Sequence, residues 1–343
     1  MEVALYANTH GFSWRDDASI YLSHVDVEQM QPVRVAQLAE AAGFHSMWFP
    51  DHVSMPGAST SHHTANITGT RAYQPRHNMM DAAVCMGAVA VSTTRLKLGT
   101  SCLIAPYRHP LSDARQLATI DQLSKGRLML GVAAGWMAEE YESVQIPYGE
   151  RNQRTIECIE IYKHCWTDEV VSFSGKHYRF ENLSMDPKPY QKPRPKIVFG
   201  GATPAGVKRA IRHCDGLYPL WLDPHGDPAR YNGLQDVIRE EAEKIGRDTR
   251  QFHMLAASGA RVTDGNDPFS KARPRRLCTG TPEQVLEDLK RFADNGYSMV
   301  VCMMAETRDG KLADLENQIR RFGEEIIPEA KKLKPAGEWL PVT

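Results

Sequence analysis

The stretch TTRLKLGTSCLIAPYRHPLSDARQLATIDQLSKGRLMLGVAAGW, residues 93–136, holds one complete strand–helix–strand unit. LKLGTSCLIAP (96–106) is apolar at both ends and reads as a buried strand. LSDARQLATIDQLSKG (111–126) has helical periodicity and stops at a glycine. RLMLGVAAGW (127–136) is a second strand that turns small near its end. Both strands carry small residues where bulky ones would fill a core: Gly99, Thr100, Ser101 and Cys102 in the first, Gly131 to Gly135 in the second.

Outward from this unit the alternation continues. Strand patterns fall at 2–8, 46–52, 196–202, 216–221, 252–262 and 298–304, and helical patterns at 27–44, 79–93, 151–166, 204–214, 229–246, 281–296 and 311–333. Eight strands, each followed by a helix, across 343 residues predict a (β/α)₈ TIM barrel occupying 1–343 as a single domain. The rival is a doubly wound open sheet, whose sign is GxGxxG after the first strand; THGFSWRDD stands there instead. The segments 53–77, 167–195 and 263–277 read as insertions, candidate lids over the catalytic face, and 167–195 reads as irregular.

The formal net charge of −1 gives no electrostatic case for nucleic acid or an anionic membrane. No apolar run approaches a membrane span, and the N-terminus has no basic-then-apolar leader, so a cytoplasmic protein is expected. Seven cysteines without a CxxC indicate buried thiols in a reducing compartment rather than a disulfide framework. The sequons at Asn66 and Asn182 are then chance matches. His62, His63 and His77 lack the spacing of a metal site, so no metal is expected.

In a barrel the chemistry sits at the C-terminal ends of strands. Three of those ends are small: GTSC, GVAAGW and FGGATPAG. Small residues can simply fill a tapering barrel. Three together, on strands three, four and five, also suit a broad flat ligand on the barrel mouth, because glycine and alanine let a backbone approach a ring. Gly200, Gly201, Ala202 and Thr203 precede a helix with Pro204 in its first turn. That arrangement fits an anion site or a plain Thr N-cap. WFPDHV (48–53) ends strand two with Asp51 and His52, which point to opposite sides of an extended chain. His52 is a candidate proton donor, with packing or capping as the alternative.

At these residues the chain resembles the luciferase-like flavin-dependent oxidoreductases. The matching stretches are 42–53, 93–141, 147–206 and 280–296. The resemblance implies a (β/α)₈ barrel binding reduced FMN or the deazaflavin F420. It implies a non-proline cis peptide at Ser101–Cys102, where small neighbours leave room. It places the cofactor phosphate at Gly201, Ala202 and Thr203, next to Gly200, and the ring and ribityl chain at Ser101, Cys102, Ala133, Ala134 and Trp136. A glutamate expected after strand four in the sugar-phosphate dehydrogenases of the family is replaced by Trp136, so sugar-phosphate oxidation is not expected. A homodimer through the second and third helices is also implied.

These readings predict a two-component monooxygenase. A separate flavin reductase supplies reduced FMN, O₂ is the co-substrate, and an apolar or aromatic small molecule is oxygenated. His52 would be the proton donor; Asp51 would orient it or bond the backbone. The mouth aromatics Tyr6, Trp14, Trp48, Tyr107, Trp136, Tyr218 and Trp221 suit such a substrate. The alternatives are F420-dependent hydride transfer, a non-catalytic flavin-binding protein, and an unrelated barrel hydrolase.

Overall fold

The computed structural model describes residues 1–10, 25–61, 78–219, 232–265, 275–304 and 311–342. Eight parallel strands close on themselves among these residues: β1 (Glu2–Tyr6), β2 (Ser46–Phe49), β3 (Lys97–Thr100, resuming at Leu103–Ile104), β4 (Leu128–Ala133), β5 (Lys196–Gly200), β6 (Gly216–Tyr218), β7 (His253–Gly259) and β8 (Met299–Met303). Pairing runs around the ring, with Leu5 opposite Met47, Leu98 opposite Leu128, Val198 opposite Gly216, and Glu2 opposite Met299 closing β1 on β8. The barrel expected from the alternation is the fold, and no open-sheet edge remains in this ring.

Each strand is buried on both faces, which is why the strands read as continuous apolar runs. Val3 and Leu5 of β1 point to the helices, and Ala4 and Tyr6 point to the barrel axis. The outer layer comprises α1 (Pro32–Ala42), α2 (Ala82–Ser92), α3 (Pro110–Leu123), α4 (Ala138–Ser143), α5 (Arg151–Thr167), α6 (Pro204–His213), α7 (Asn232–Ile245), α8 (Pro282–Asp294) and α9 (Leu312–Arg321).

Local chemistry sets the helix ends. Asp81 caps α2 by accepting from the Val84 amide at 2.9 Å. Thr281 and Gln284 form a capping box on α8. Gly43 ends α1 in the left-handed conformation, φ +87°. The helix expected over 27–44 is broken, because Pro32 disfavours helical backbone at the preceding residue; Gln31 takes φ 34° between the turn Val27–Met30 and α1. The segment 167–195, expected to be irregular, contains an antiparallel hairpin, Val171–Ser174 with Arg179–Leu183. Its turn is held on α5 by the Glu157 carboxylate, which accepts from the amides of Lys176, His177 and Tyr178.

Two of the small residues have a packing cause. The Trp48 indole, fully buried, lies across the barrel and donates to Ser46 Oγ at 2.8 Å. A β-carbon at Gly99 would strike that indole, and one at Gly131 would strike the Thr100 carbonyl and the indole edge. Part of the small-residue pattern of β3 and β4 therefore makes room for Trp48, as a tapering barrel requires. The opposite end is closed by the C-terminal segment. The Leu340 amide donates to the Phe252 carbonyl at 3.0 Å, Trp339 packs on Phe252, and Val342 joins the interior cluster.

All seven cysteines are buried free thiols. Among the described residues no helix is long and apolar enough to cross a membrane. His62, His63, His77, Trp14 and Trp221 lie outside the described residues, as does Asn66.

Candidate functional site

The C-terminal ends of β1 to β5 surround a cleft. Asp51, His52, Ser101, Cys102, Ala133, Ala134, Trp136, Gly200, Gly201, Ala202 and Thr203 all line it. Of the mouth aromatics, Tyr6 and Trp136 face the cleft. Trp48 and Tyr218 are instead fully buried core, with ring centroids 5.2 Å apart. A cis peptide joins Ser101 to Cys102, and Ser101 Oγ lies 2.9 Å from the Tyr218 hydroxyl.

Asp51 and His52, just beyond the end of β2, bond different partners. Asp51 turns to Arg108, which grips both carboxylate oxygens at 2.8 and 2.6 Å, and it also accepts from the Ile104 amide at 3.0 Å. Asp51 thus ties the β2 end to the chain just past the cis bond, and of its two expected roles this is the backbone-bonding one. His52 is oriented by a different carboxylate: its Nδ1 lies 2.7 Å from Glu140 Oε2. The small-residue motif of β4 points no further than Trp136; the acid arrives one helical turn later, in α4.

Glu140 is fully buried and accepts from the Val53 and Ser54 amides and the Tyr107 hydroxyl. Burial opposes its charge, but the hydrogen bonds from His52, Val53 and Ser54 outweigh that and hold the carboxyl below its ordinary value. The neighbouring Glu139 accepts from the Thr60 and Ser61 amides, so α4 grips the loop after β2 at both ends. The His52 ring also lies 5.4 Å from His10 and 6.4 Å from Trp136, centroid to centroid.

The other end of the cleft is cationic. Thr203 Oγ1 caps α6 by accepting from Gly206 at 3.1 Å, so the plain N-cap reading holds for its hydroxyl. The Gly201 amide donates to the Tyr218 carbonyl at 3.3 Å, leaving the amides beyond it to serve a ligand. Arg151 and Arg209 line this end. Burial and then the neighbouring Arg151 push the Arg209 guanidinium below the usual arginine value. Two like charges brought together at a helix N-terminus are relieved by an anion. Neither arginine was singled out from sequence. Their shared place becomes meaningful only once α5 and α6 are adjacent. The site fits a planar ligand with an anionic tail: small side chains along the rim, two guanidinium groups at one end, an anchored imidazole at the other.

A buried carboxylate behind the site gives a pH dependence. Asp113 in α3 accepts from the Tyr162 hydroxyl at 2.9 Å. Burial pushes its carboxyl up to about 7, against the pull of Arg108. A group whose folded value exceeds its unfolded one favours the fold at low pH and loses that contribution as pH rises through the folded value. Asp113→Asn is therefore expected to melt above the wild type at pH 8, with the gap narrowing as pH falls through about 7 and Asp113 takes up its proton, and closed by about pH 4. Melting curves across that range check this; a gap independent of pH would contradict it.

The family model for luciferase-like monooxygenases matches residues 1–267. An FMNH₂-dependent dimethylsulfone monooxygenase from Pseudomonas putida is 32% identical over 344 residues, covering 88% of each chain. The crystal structure of monooxygenase RslO1 from Streptomyces bottropensis superposes with a TM-score of 0.72 at 20% identity, covering 96% of this chain and 99% of that one. An F420-dependent secondary alcohol dehydrogenase superposes with a TM-score of 0.70 at 19% identity, covering 96% and 98%. The last two likenesses concern the fold.

Proposed function

This chain belongs to the luciferase-like monooxygenase family, and from that premise we propose that it oxygenates a small apolar or aromatic molecule with O₂ and reduced FMN delivered by a separate flavin reductase. It is an oxidoreductase by family. The observation that carries the finer reading is one cleft with a carboxylate-held imidazole at one end and two arginines beside a helix N-terminus at the other. FMN ends in a phosphomonoester dianion, which two guanidinium groups and the α6 terminus match. F420 ends its ribityl chain in a singly charged diester, so hydride transfer with F420 is the second reading, supported by the F420 enzyme of like fold.

Reduced FMN, when bound, supplies the electrons that activate O₂. The chain's own tasks are separate. Ser101, Cys102, Ala133 and Ala134 bound the ring face, while Gly200, Ala202, Thr203, Arg151 and Arg209 hold the tail. Tyr6 and Trp136 offer apolar surface to the substrate and exclude water. His52 moves a proton at the reacting end. Anaerobic titration with reduced FMN and with reduced F420 tests the cofactor, and oxygen uptake with bound reduced FMN tests the monooxygenase step. Preference for F420 without oxygen uptake would reverse the reading. His52→Ala is expected to leave cofactor affinity intact and to lower turnover roughly a hundredfold or more; undiminished turnover removes His52 from the mechanism.

The same reading makes the protein a homodimer. Val84 and Val91 of α2 are 73% and 67% exposed, and Leu123 of α3, 48% exposed, lines a surface groove together with Val84. A second copy packing α2 and α3 against their equivalents would cover it. Sedimentation equilibrium decides this directly.

A further inference from the structure

Both oxygens of Glu140 are occupied, and the division between them is informative. Oε1 accepts from the Val53 and Ser54 amides at 2.6 and 3.2 Å. Oε2 lies 2.7 Å from His52 Nδ1 and accepts from the Tyr107 hydroxyl at 2.9 Å. An ionised carboxylate only accepts, so the proton of this contact sits on Nδ1. We infer that Glu140 is the positioning residue of the cleft: it fixes neutral His52 in the Nδ1–H tautomer, so that Nε2 is the nitrogen that exchanges a proton at the ligand. A free imidazole side chain prefers the opposite tautomer, so the assignment is a property the fold imposes. The tautomer follows from the hydrogen-bond geometry and the ionised Glu140 carboxylate that its amide and hydroxyl donors stabilise; its effect on turnover rests on the proposed function.

Glu140→Gln discriminates because the Val53 and Ser54 amides still require an acceptor. The carbonyl oxygen of the substituted side chain takes their side, and its NH₂ group then faces His52. Nδ1 must accept from that NH₂, and the ring proton moves to Nε2. Tyr107→Phe removes a donor to Oε2 but leaves the carboxylate, so the tautomer should stay as in the wild type.

The measurement is long-range ¹H–¹⁵N correlation on the ligand-free protein at a pH where His52 is neutral, with its signals assigned by their loss in His52→Gln. The wild type and Tyr107→Phe are expected to show Nδ1–H, and Glu140→Gln to show Nε2–H. Turnover of Glu140→Gln should fall roughly a thousandfold or more, as when the orienting carboxylate of a catalytic histidine becomes an amide, while its affinity for reduced FMN stays that of the wild type. Wild-type His52 carrying its neutral proton on Nε2 overturns the inference without any variant. So does an unchanged tautomer in Glu140→Gln, or a switched tautomer with undiminished turnover. If reduced FMN does not bind the wild type, the proposed function fails, while the spectra still decide the tautomer.

Discussion

Thr203→Asp is expected to raise the dissociation constant for reduced FMN by two to three orders of magnitude while the protein remains folded. Thr203 caps α6 through Oγ1, and aspartate is as good a cap as threonine and favours the same helix terminus. The fold therefore loses nothing at this position. The ligand does: a carboxylate placed about 4 Å from the tail phosphate costs about 4 kcal/mol per unit charge at an effective dielectric near 20. Arg151 and Arg209 offset part of this, which brings the expected weakening to roughly a hundred- to thousandfold. Anaerobic fluorescence titration measures it, and circular dichroism confirms the fold. Wild-type affinity in this variant would place the anionic tail elsewhere on the barrel.

The second large effect is on stability. Gly131→Ala adds a β-carbon that meets the Thr100 carbonyl and the Trp48 ring. A side chain can rotate away from such an intrusion; a backbone oxygen inside a closed barrel cannot. The cost is expected at or above the upper end of the usual 1–3 kcal/mol for overpacking, and the melting temperature should fall by roughly 4 °C or more. Gly149→Ala, where an added β-carbon meets nothing within 4 Å, is the matched control and should melt as the wild type does. Equal melting temperatures for both variants would mean that β3 and β4 can part at Gly131 at no cost.

The barrel was legible because its signal is repetitive. Each strand is buried on both faces and each crossover helix is periodic, so eight weak patterns reinforce one another. The eleven candidate positions were legible for a related reason: strand ends converge in a closed barrel, so residues 51, 101, 133 and 201 become neighbours by topology alone. The residues that sequence did not disclose are those whose meaning depends on two elements meeting. Glu140 stands in a short acidic helical turn with no motif of its own, and its role is set by α4 packing against the loop after β2, which buries it. Arg151 and Arg209 stand on separate helices and acquire a shared role only across the cleft. Asp51 and His52 are adjacent in sequence, and that adjacency suggested a partnership, but Asp51 pairs with Arg108 and His52 with Glu140. Gly99 and Gly131 carried the right signal of close approach, but the approaching ring is the protein's own Trp48.

Trp48 has a kinetic consequence as well. With its indole and Tyr218 filling the axis below Ser101, and the C-terminal tail packed at the far end, the described residues leave the cleft no passage down the barrel axis. A flat molecule that settles on its inner rim must enter before anything that stacks above it, and must leave after it. Arrival and departure are thereby put in sequence by architecture, so turnover should show compulsory-order kinetics, the electron carrier first in and last out.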